Sequence, residues 1–266
     1  MKMMKKRNII KAMLGVAMIA ALSACDKVEE ADRYIKVEMP EIGRNVLVEE
    51  YTGQFCVNCP DGHAILNNIR DLYGEKVITV GIHAGKTAWD DVAKGGLKTA
   101  DGDAYAGKWN LLSYPSIVVN HQGAPISNMA QWQDAVQKAM DMDAKADIVL
   151  AATLTEDGKS VKVTARMLAD ADVDANYQIW LTESNIVAFQ QNMTAVGYDL
   201  NYVHNHVYRA SVNGVGGEKI SLASGIYSEK GNTIALESKW NVENLAVVAF
   251  LYDGNGVIQV EETVVK

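Results

Sequence analysis

This chain lacks a long hydrophobic run, an excess of basic residues and any internal repeat, and each absence excludes a class of protein. The longest apolar run, residues 12–22, falls short of the roughly 20 residues that a membrane-spanning helix needs. The 266 residues include only three cysteines, so the chain is not a disulfide-rich scaffold. We therefore expect a folded protein with an ordinary core and no spanning helix.

Basic residues are outnumbered by acidic ones. The sequence holds 25 Lys and Arg against 33 Asp and Glu, a net charge of −8. Five of the basic side chains lie in the first 11 residues, and the rest of the chain without them carries −13. Such a surface repels nucleic acid and anionic headgroups, so we expect no nucleic-acid partner.

The first 24 residues have the pattern of a bacterial signal peptide. A basic start is followed by the apolar run and by Leu-Ser-Ala-Cys, which resembles the lipobox that precedes a lipidated cysteine. The resemblance implies lipid on Cys25, with residues 25–43 forming the lipidated end and a charged tether. The protein would then meet a membrane through its acyl chains. The alternative is a plain secretory signal followed by a chance cysteine.

Residues 44–145 read as a βαβ unit, an insertion and a ββα unit. An apolar strand begins at Val46 and leads into Cys-Val-Asn-Cys, and a helix with one apolar stripe continues to Tyr73. Another apolar strand ends at His83, and a glycine-rich insertion separates it from Tyr-Pro-Ser-Ile-Val-Val and a second helix. A cysteine pair at the entry to a helix is placed for thiol chemistry, with Cys56 expected to face outward and Cys59 to be more buried.

This region resembles thioredoxin. The resemblance is carried by VLVEEYTGQFCVNC, by Glu50 six residues before Cys56, and by YPSIVV. It implies an α/β thioredoxin-like domain in which Pro115 is cis and faces the cysteines. The sequence departs from the family at Phe55, at Val57-Asn58 and in the insertion. Those departures affect the redox potential and the partner rather than the fold.

The cysteine pair supports two hypotheses of different class. In the first, Cys56 is the attacking thiolate, Cys59 resolves the mixed disulfide, Glu50 takes the Cys59 proton and Pro115 flanks the sulfurs. The partner would be a protein thiol or disulfide, with no cofactor. In the alternative, the pair is a permanent structural disulfide in a non-enzymatic surface or binding lipoprotein.

Residues 146–266 change to a period of two. About seven short strands with turn signals predict an all-β antiparallel sandwich of the Ig-like type. The whole chain, including YVHNHVYRASVNG in this half, resembles the twenty-eight-kilodalton outer-membrane-protein-related lipoprotein family. That resemblance implies an outer membrane lipoprotein of the bacterial cell envelope. It implies no activity and does not decide which face of the membrane holds the protein.

Two histidine patterns are weaker candidates for a metal site. Cys56, Cys59 and His63 supply three ligand types, but structural zinc wants four. His204 and His206 alternate along an expected strand, so both would face one side of it. A packed or hydrogen-bonded pair is the commoner arrangement, and we expect no metal. Arg209 is expected to pair with an acid.

Overall fold

A computed structural model describes residues 43–266. The predicted signal peptide, Cys25 and nearly all of the tether lie outside these residues. The described chain is mostly β, with a mixed sheet and three α-helices. The helices are α1 (Cys59–Tyr73), α2 (Ala100–Gly107) and α3 (Trp132–Met140). The strands are β1 (Val46–Thr52), β2 (Val77–His83), β3 (Ser116–Val119), β4 (Gln122–Ile126), β5 (Ala146–Leu154), β6 (Ser160–Ala169), β7 (Val173–Glu183), β8 (Ile186–Gln191), β9 (Tyr198–His204), β10 (Val207–Ser211), β11 (Glu218–Leu222), β12 (Ser228–Ala235), β13 (Leu245–Asp253) and β14 (Gly256–Val264).

The βαβ unit lies at the centre of the largest sheet. β1 and β2 pair in parallel, from Val46 opposite Val77 to Thr52 opposite His83. Every residue of both strands is buried, as expected for parallel strands covered on both faces. The helix α1 connects them with Pro60 in its first turn, where a missing N–H is tolerated. The sequence therefore placed this unit correctly, within a residue or two at each end.

The ββα unit completes the other edge of the same sheet. β3 runs antiparallel to β1, with Ser116 opposite Tyr51, and β4 follows at the edge. A proline inside β4, Pro125, is tolerated at that position because an edge strand has an unpaired side. The helix α3 packs Trp132 and Val136 into the core beneath β1 and α1. The register of β1 and β3 carries Pro115 towards the end of β1 from which the cysteines depart.

The sheet continues into the second half of the chain. Its order is β14-β13-β7-β10-β2-β1-β3-β4, with β11 also paired to β7. β10 joins β2 through Val207 opposite Gly81, and the Gly81 N–H donates to the His206 carbonyl at 2.8 Å. The predicted boundary between residues 145 and 146 therefore does not separate two sheets. Residues 146–266 hold ten strands where the sequence predicted about seven.

A second layer packs against this sheet. β12, β6 and β5 form a three-stranded antiparallel sheet. Its inward side chains share a core with β7 and β13, and we call this set the apolar core. Its members include Ile148, Val161, Val163, Met167, Ile179, Leu181, Val247 and Leu251. The two-layered arrangement of this half follows the period-two pattern, which puts alternate side chains on one face.

A separate hairpin, β8–β9, returns to the end of β1. Its strands pair only with each other among the described residues. The hairpin is held to the segment after β1 by Gln54, whose carbonyl accepts from the Gln191 N–H at 2.8 Å. The Gln54 side-chain amide donates to the Phe189 carbonyl at 3.1 Å. The hairpin thus lies beside the Cys56–Cys59 segment, more than a hundred residues away in sequence.

Candidate functional site

A disulfide joins Cys56, in the connection between β1 and α1, to Cys59, the first residue of α1. Their Cα atoms lie 5.4 Å apart. Asn58 is the N-cap residue of α1 without a side-chain cap bond, and its carbonyl accepts from Gly62 N–H at 3.4 Å. The Cys59 N–H donates to the Cys56 carbonyl at 3.3 Å. The pair therefore occupies the entry of the helix, where its positive dipole end favours a thiolate.

Both cysteines are buried, so the expectation that Cys56 faces outward is wrong. Cys56 is 4% exposed and Cys59 is 0% exposed, so only their order agrees with the prediction. The hairpin β8–β9 lies against the backbone of this segment. Its Gln190 side-chain amide donates to the Cys56 carbonyl at 3.0 Å and to the Gly53 carbonyl at 3.3 Å.

Glu50 and Pro115 converge on the first turn of α1. Gly62 lies there, and a Cβ built on it would sit 3.0 Å from Pro115 Cγ and 3.1 Å from Glu50 Oε1. The same point is 2.9 Å from the Trp132 ring. Only glycine leaves room for Glu50 of β1, Pro115 just before β3 and Trp132 of α3 to meet the helix. The Tyr114–Pro115 peptide bond is cis in the structure.

Glu50 is a buried carboxyl without a full set of partners. Its side chain is 6% exposed, and its Oε1 atom has no hydrogen-bond partner within residues 43–266. Burial raises the pKa of Glu50 to about 8. A carboxyl with that pKa exists in both protonation states near neutral pH, so it can take up and return one proton.

His63 connects Glu50 to the hairpin. Its Nε2 atom lies 3.5 Å from Glu50 Oε1 and 3.0 Å from the Thr52 hydroxyl. Its Nδ1 atom lies 2.7 Å from the Tyr202 hydroxyl. Burial, and then the neighbouring His204, lower the pKa of His63 to about 3. Near neutral pH the imidazole is uncharged, and the contact with Glu50 is not an ion pair.

Two more histidines lie on the far side of His63. The rings of His83 and His204 are 5.3 Å apart, and those of His63 and His204 are 6.4 Å apart. Both nitrogens of His204 lack a hydrogen-bond partner among the described residues. Burial lowers the pKa of His204 to about 4 and that of His83 well below its usual value. The cluster is therefore neutral, with desolvation as the main cause.

The predicted His204–His206 pair does not exist as a pair on one strand face. β9 ends at His204, and His206 adopts a positive φ of 52° in the connection to β10. That turn directs His206 to Glu262, with 3.8 Å between Nδ1 and Oε1. The expected acid partner of Arg209 is Glu183, at 3.2 Å. Within residues 43–266, no group of three or more His, Cys, Asp or Glu is arranged to hold a metal ion.

Sequence reasoning named Cys56, Cys59, Glu50 and Pro115, and the structure brings all four to one end of β1. It missed Gln190, His83 and the link from His63 to Tyr202. The alternation of Tyr202 and His204 on one strand face was a usable signal. Nothing local in the sequence indicated that this face would meet α1.

The fold and the site together define a β-rich protein with a disulfide at a strand-to-helix junction. Residues 102–266 match the family described as Outer membrane protein Omp28, which is more than half of the chain. The chain belongs to that family, and it is therefore a protein of the bacterial outer membrane. None of the described helices is both long and apolar enough to cross a bilayer.

Two solved structures with TM-scores above 0.5 support the fold. HBP35 of Porphyromonas gingivalis is 18% identical and has a TM-score of 0.67, covering 85% of this chain and 77% of that one. A structural-genomics target protein from Agrobacterium tumefaciens is 13% identical with a TM-score of 0.53, covering 85% and 96%. A domain of the outer membrane lipoprotein Omp28 from Porphyromonas gingivalis is 22% identical over 47% of this chain and 91% of that one, at a TM-score of 0.33. No curated protein matches the sequence.

Proposed function

We propose that this chain is an outer membrane lipoprotein, anchored through lipid on Cys25, that exchanges disulfides with protein substrates through Cys56 and Cys59. In this proposal residues 44–145 act as a thioredoxin-like module and residues 146–266 as an Ig-like layer joined to it. The lipid anchor is supported by the basic leader, the apolar run and Leu-Ser-Ala-Cys before residue 26.

One observation carries the proposal of exchange. The buried acid Glu50 on β1 and Pro115, immediately before β3, meet the first turn of the helix that begins at Cys59 of the disulfide. A disulfide that only stabilised a loop would not need a nearby carboxyl with a raised pKa. It would also not need a glycine at position 62 to make room for that carboxyl. Perturbed carboxyls beside a reactive pair are typical of functional sites.

The residues have separate roles in the exchange. The Cys56 thiolate attacks one sulfur of a substrate disulfide, forming a mixed disulfide and releasing the other substrate sulfur as a thiolate, which takes a proton from water. Cys59 then gives its proton to the Glu50 carboxylate and attacks Cys56 Sγ. The second substrate sulfur leaves as a thiolate, and the Cys56–Cys59 disulfide re-forms. The substrate gains two electrons, and the two cysteines lose them.

Equilibration of the purified full chain in glutathione buffers, followed by thiol alkylation and mass measurement, tests the proposal. We expect a redox potential above about −300 mV, as for disulfides that exchange. The Cys59→Ser variant should accumulate a mixed disulfide on Cys56, while Cys56→Ser should accumulate none. A potential far below that limit, together with no mixed disulfide on Cys59→Ser, would refute exchange.

The second candidate is a binding lipoprotein with a structural disulfide, and one observation favours it. Both cysteines are buried, and Gln190 fixes the Cys56 carbonyl from above. In that case, replacing both cysteines by serine lowers the free energy of unfolding by about 2 kcal/mol, as expected for so short a loop. No thiol-dependent activity would be lost, so the same variants separate the two candidates.

A further inference from the structure

The structure holds a polar path that leads away from the disulfide site. Glu50 lies on β1, His63 lies one turn beyond Cys59 on α1, and Tyr202 lies on β9. Glu50 Oε1 is 3.5 Å from His63 Nε2, and His63 Nδ1 is 2.7 Å from the Tyr202 hydroxyl. Tyr202 is partly exposed at the surface of the hairpin. The path therefore runs from a buried carboxyl to solvent through one imidazole.

Glu50 needs such a path if it serves as the proton acceptor for Cys59. The other groups that crowd it at Gly62 are the Pro115 ring and the Trp132 ring, and their nearest atoms carry no transferable proton. A proton trapped on a buried carboxyl would stop the next turnover. A ring with one nitrogen towards the acid and the other towards a hydroxyl is suited to pass that proton on.

We propose that His63 and Tyr202 carry the proton that Glu50 takes from Cys59 out to solvent, and return one when the disulfide is reduced. This inference rests on the exchange activity proposed above. When Cys59 has closed the disulfide, protonated Glu50 gives its proton to His63 Nε2. His63 Nδ1 releases its own proton to the Tyr202 oxygen, and Tyr202 releases one to water. One proton leaves, and no group changes its charge except Glu50.

The surroundings of His63 disfavour its protonated, charged form. His83 and His204 pack near it as neutral rings, and a charged imidazolium is unfavourable in this desolvated cluster. His63 therefore passes a proton on rather than holding it. The titratable groups that bear on this path are Glu50 on β1, His83 on β2, Asp61 on α1, Tyr202, His204 and Asp199 on β9, and Arg209 on β10.

Tyr202→Phe is the sharpest test, because it removes the hydroxyl and keeps the ring that packs against His63 and His204. In single-turnover exchange with oxidised glutathione, we expect resolution of the mixed disulfide to slow about tenfold, since proton transfer limits that step. The first attack by Cys56, measured in a Cys59→Ser background, should keep its rate. Tyr198→Phe on the same strand is the matched control, because Tyr198 stacks on Phe189 outside the path.

Two further measurements exclude a merely structural role. Imidazole buffer should restore the resolution rate of Tyr202→Phe, since a small carrier can replace the lost hydroxyl. In a Glu50→Gln background, Tyr202→Phe should cause no additional slowing, because both act on one proton.

The outcomes distinguish the relay from the exchange activity. If Tyr202→Phe behaves like Tyr198→Phe, or if its effect multiplies with that of Glu50→Gln, the relay is refuted while exchange stands. If the wild-type chain forms no mixed disulfide, the proposed function fails and the relay fails with it. Equal melting temperatures of the two tyrosine variants would show that the comparison is not one of folding.

Discussion

The interior between the two layers and the interior around the end of β1 are filled with different chemistry. Around β5, β6, β7 and β13, the apolar core is built from aliphatic and aromatic side chains. Around the end of β1, the interior holds charged or polar side chains instead. These are Glu49, Glu50, Gln54, Thr52, His83, Gln190 and His204, each no more than 5% exposed.

The difference shows which part of the molecule contains buried groups that lower its free energy of unfolding. A buried polar group without a partner costs roughly 1–3 kcal/mol, and the interior around the end of β1 contains several such atoms. They include Glu50 Oε1, His83 Nδ1, Gln190 Oε1 and both nitrogens of His204, all among the described residues. The apolar core offsets that cost, and the same continuous sheet connects the two. Unpartnered polar atoms also occur elsewhere among the described residues, including the Tyr177 hydroxyl and the Trp240 indole N–H in the apolar core. Around the end of β1 they mostly belong to carboxyl and imidazole groups whose pKa values are shifted by burial, which is typical of a functional site.

The largest expected effect comes from opening the apolar core. Met167 on β6 is fully buried, and Met167→Ala should lower the free energy of unfolding by about 2–5 kcal/mol through lost burial and a cavity. Urea unfolding measures it. The redox potential of the cysteine pair should stay at the wild-type value. A shifted potential would mean that the apolar core and the disulfide site are energetically coupled and do not behave as separate regions.

A smaller effect is expected where the site is most crowded. Alanine normally stabilises a helix relative to glycine, but a Cβ at Gly62 would meet Trp132, Pro115 and Glu50 at 2.9–3.1 Å. Gly62→Ala should therefore destabilise by about 1–3 kcal/mol and shift the redox potential as well. Thermal unfolding and glutathione equilibration measure the two effects.

The control for Gly62 is a glycine with free space around it. A Cβ at Gly231 in β12 meets no atom within 4 Å, and the residue is exposed. Gly231→Ala should stabilise slightly, by about 0.5 kcal/mol, because alanine restricts the unfolded chain. If Gly62→Ala were equally harmless, Glu50 and Pro115 would have room to move, and the close approach at α1 would not matter for the site.

Features that depend on neighbouring residues could be predicted from the sequence, whereas contacts between distant parts of the chain could not. The strand from Val46 and the helix to Tyr73 follow local periodicity, and both form where expected. One apolar residue of this helix lies outside the covered face: Leu72 is 62% exposed, because α1 buries only the face that carries Leu66 and Ile69. Periodicity gives a face but not how wide the covered part is.

The cover over the cysteines was not predictable in the same way. Gln190 reaches Cys56 across 134 positions, and Tyr202 reaches His63 across 139. No pattern within a strand or helix records such a contact. The spacing of His204 and His206 was likewise interpreted as one strand face, and the left-handed turn at His206 ended the strand first. The residues of the site could be predicted from the sequence, whereas the contact between the site and the hairpin depends on the tertiary fold.

The smallest expected effect depends on pH and separates the disulfide site from the apolar core most directly. Burial lowers the pKa of His204 to about 4, against about 6.5 for an unfolded histidine. As the pH falls from 6.5 towards 4, the unfolded chain therefore binds a proton there that the folded chain refuses, and the folded state loses stability. His204→Leu removes that proton from the balance. Between pH 8 and pH 5, the free energy of unfolding of His204→Leu, measured in urea, should fall by about 1–2 kcal/mol less than that of the wild type.

At pH 8 His204 is neutral in both states, so the variant measured there serves as its own control for packing. Met167→Ala should instead run parallel to the wild type across this pH range, because no group in the apolar core titrates in it. A wild-type pH slope in His204→Leu would mean that the buried imidazole already carries its proton when folded. The polar interior around the end of β1 would then hold a charge that its desolvated surroundings disfavour.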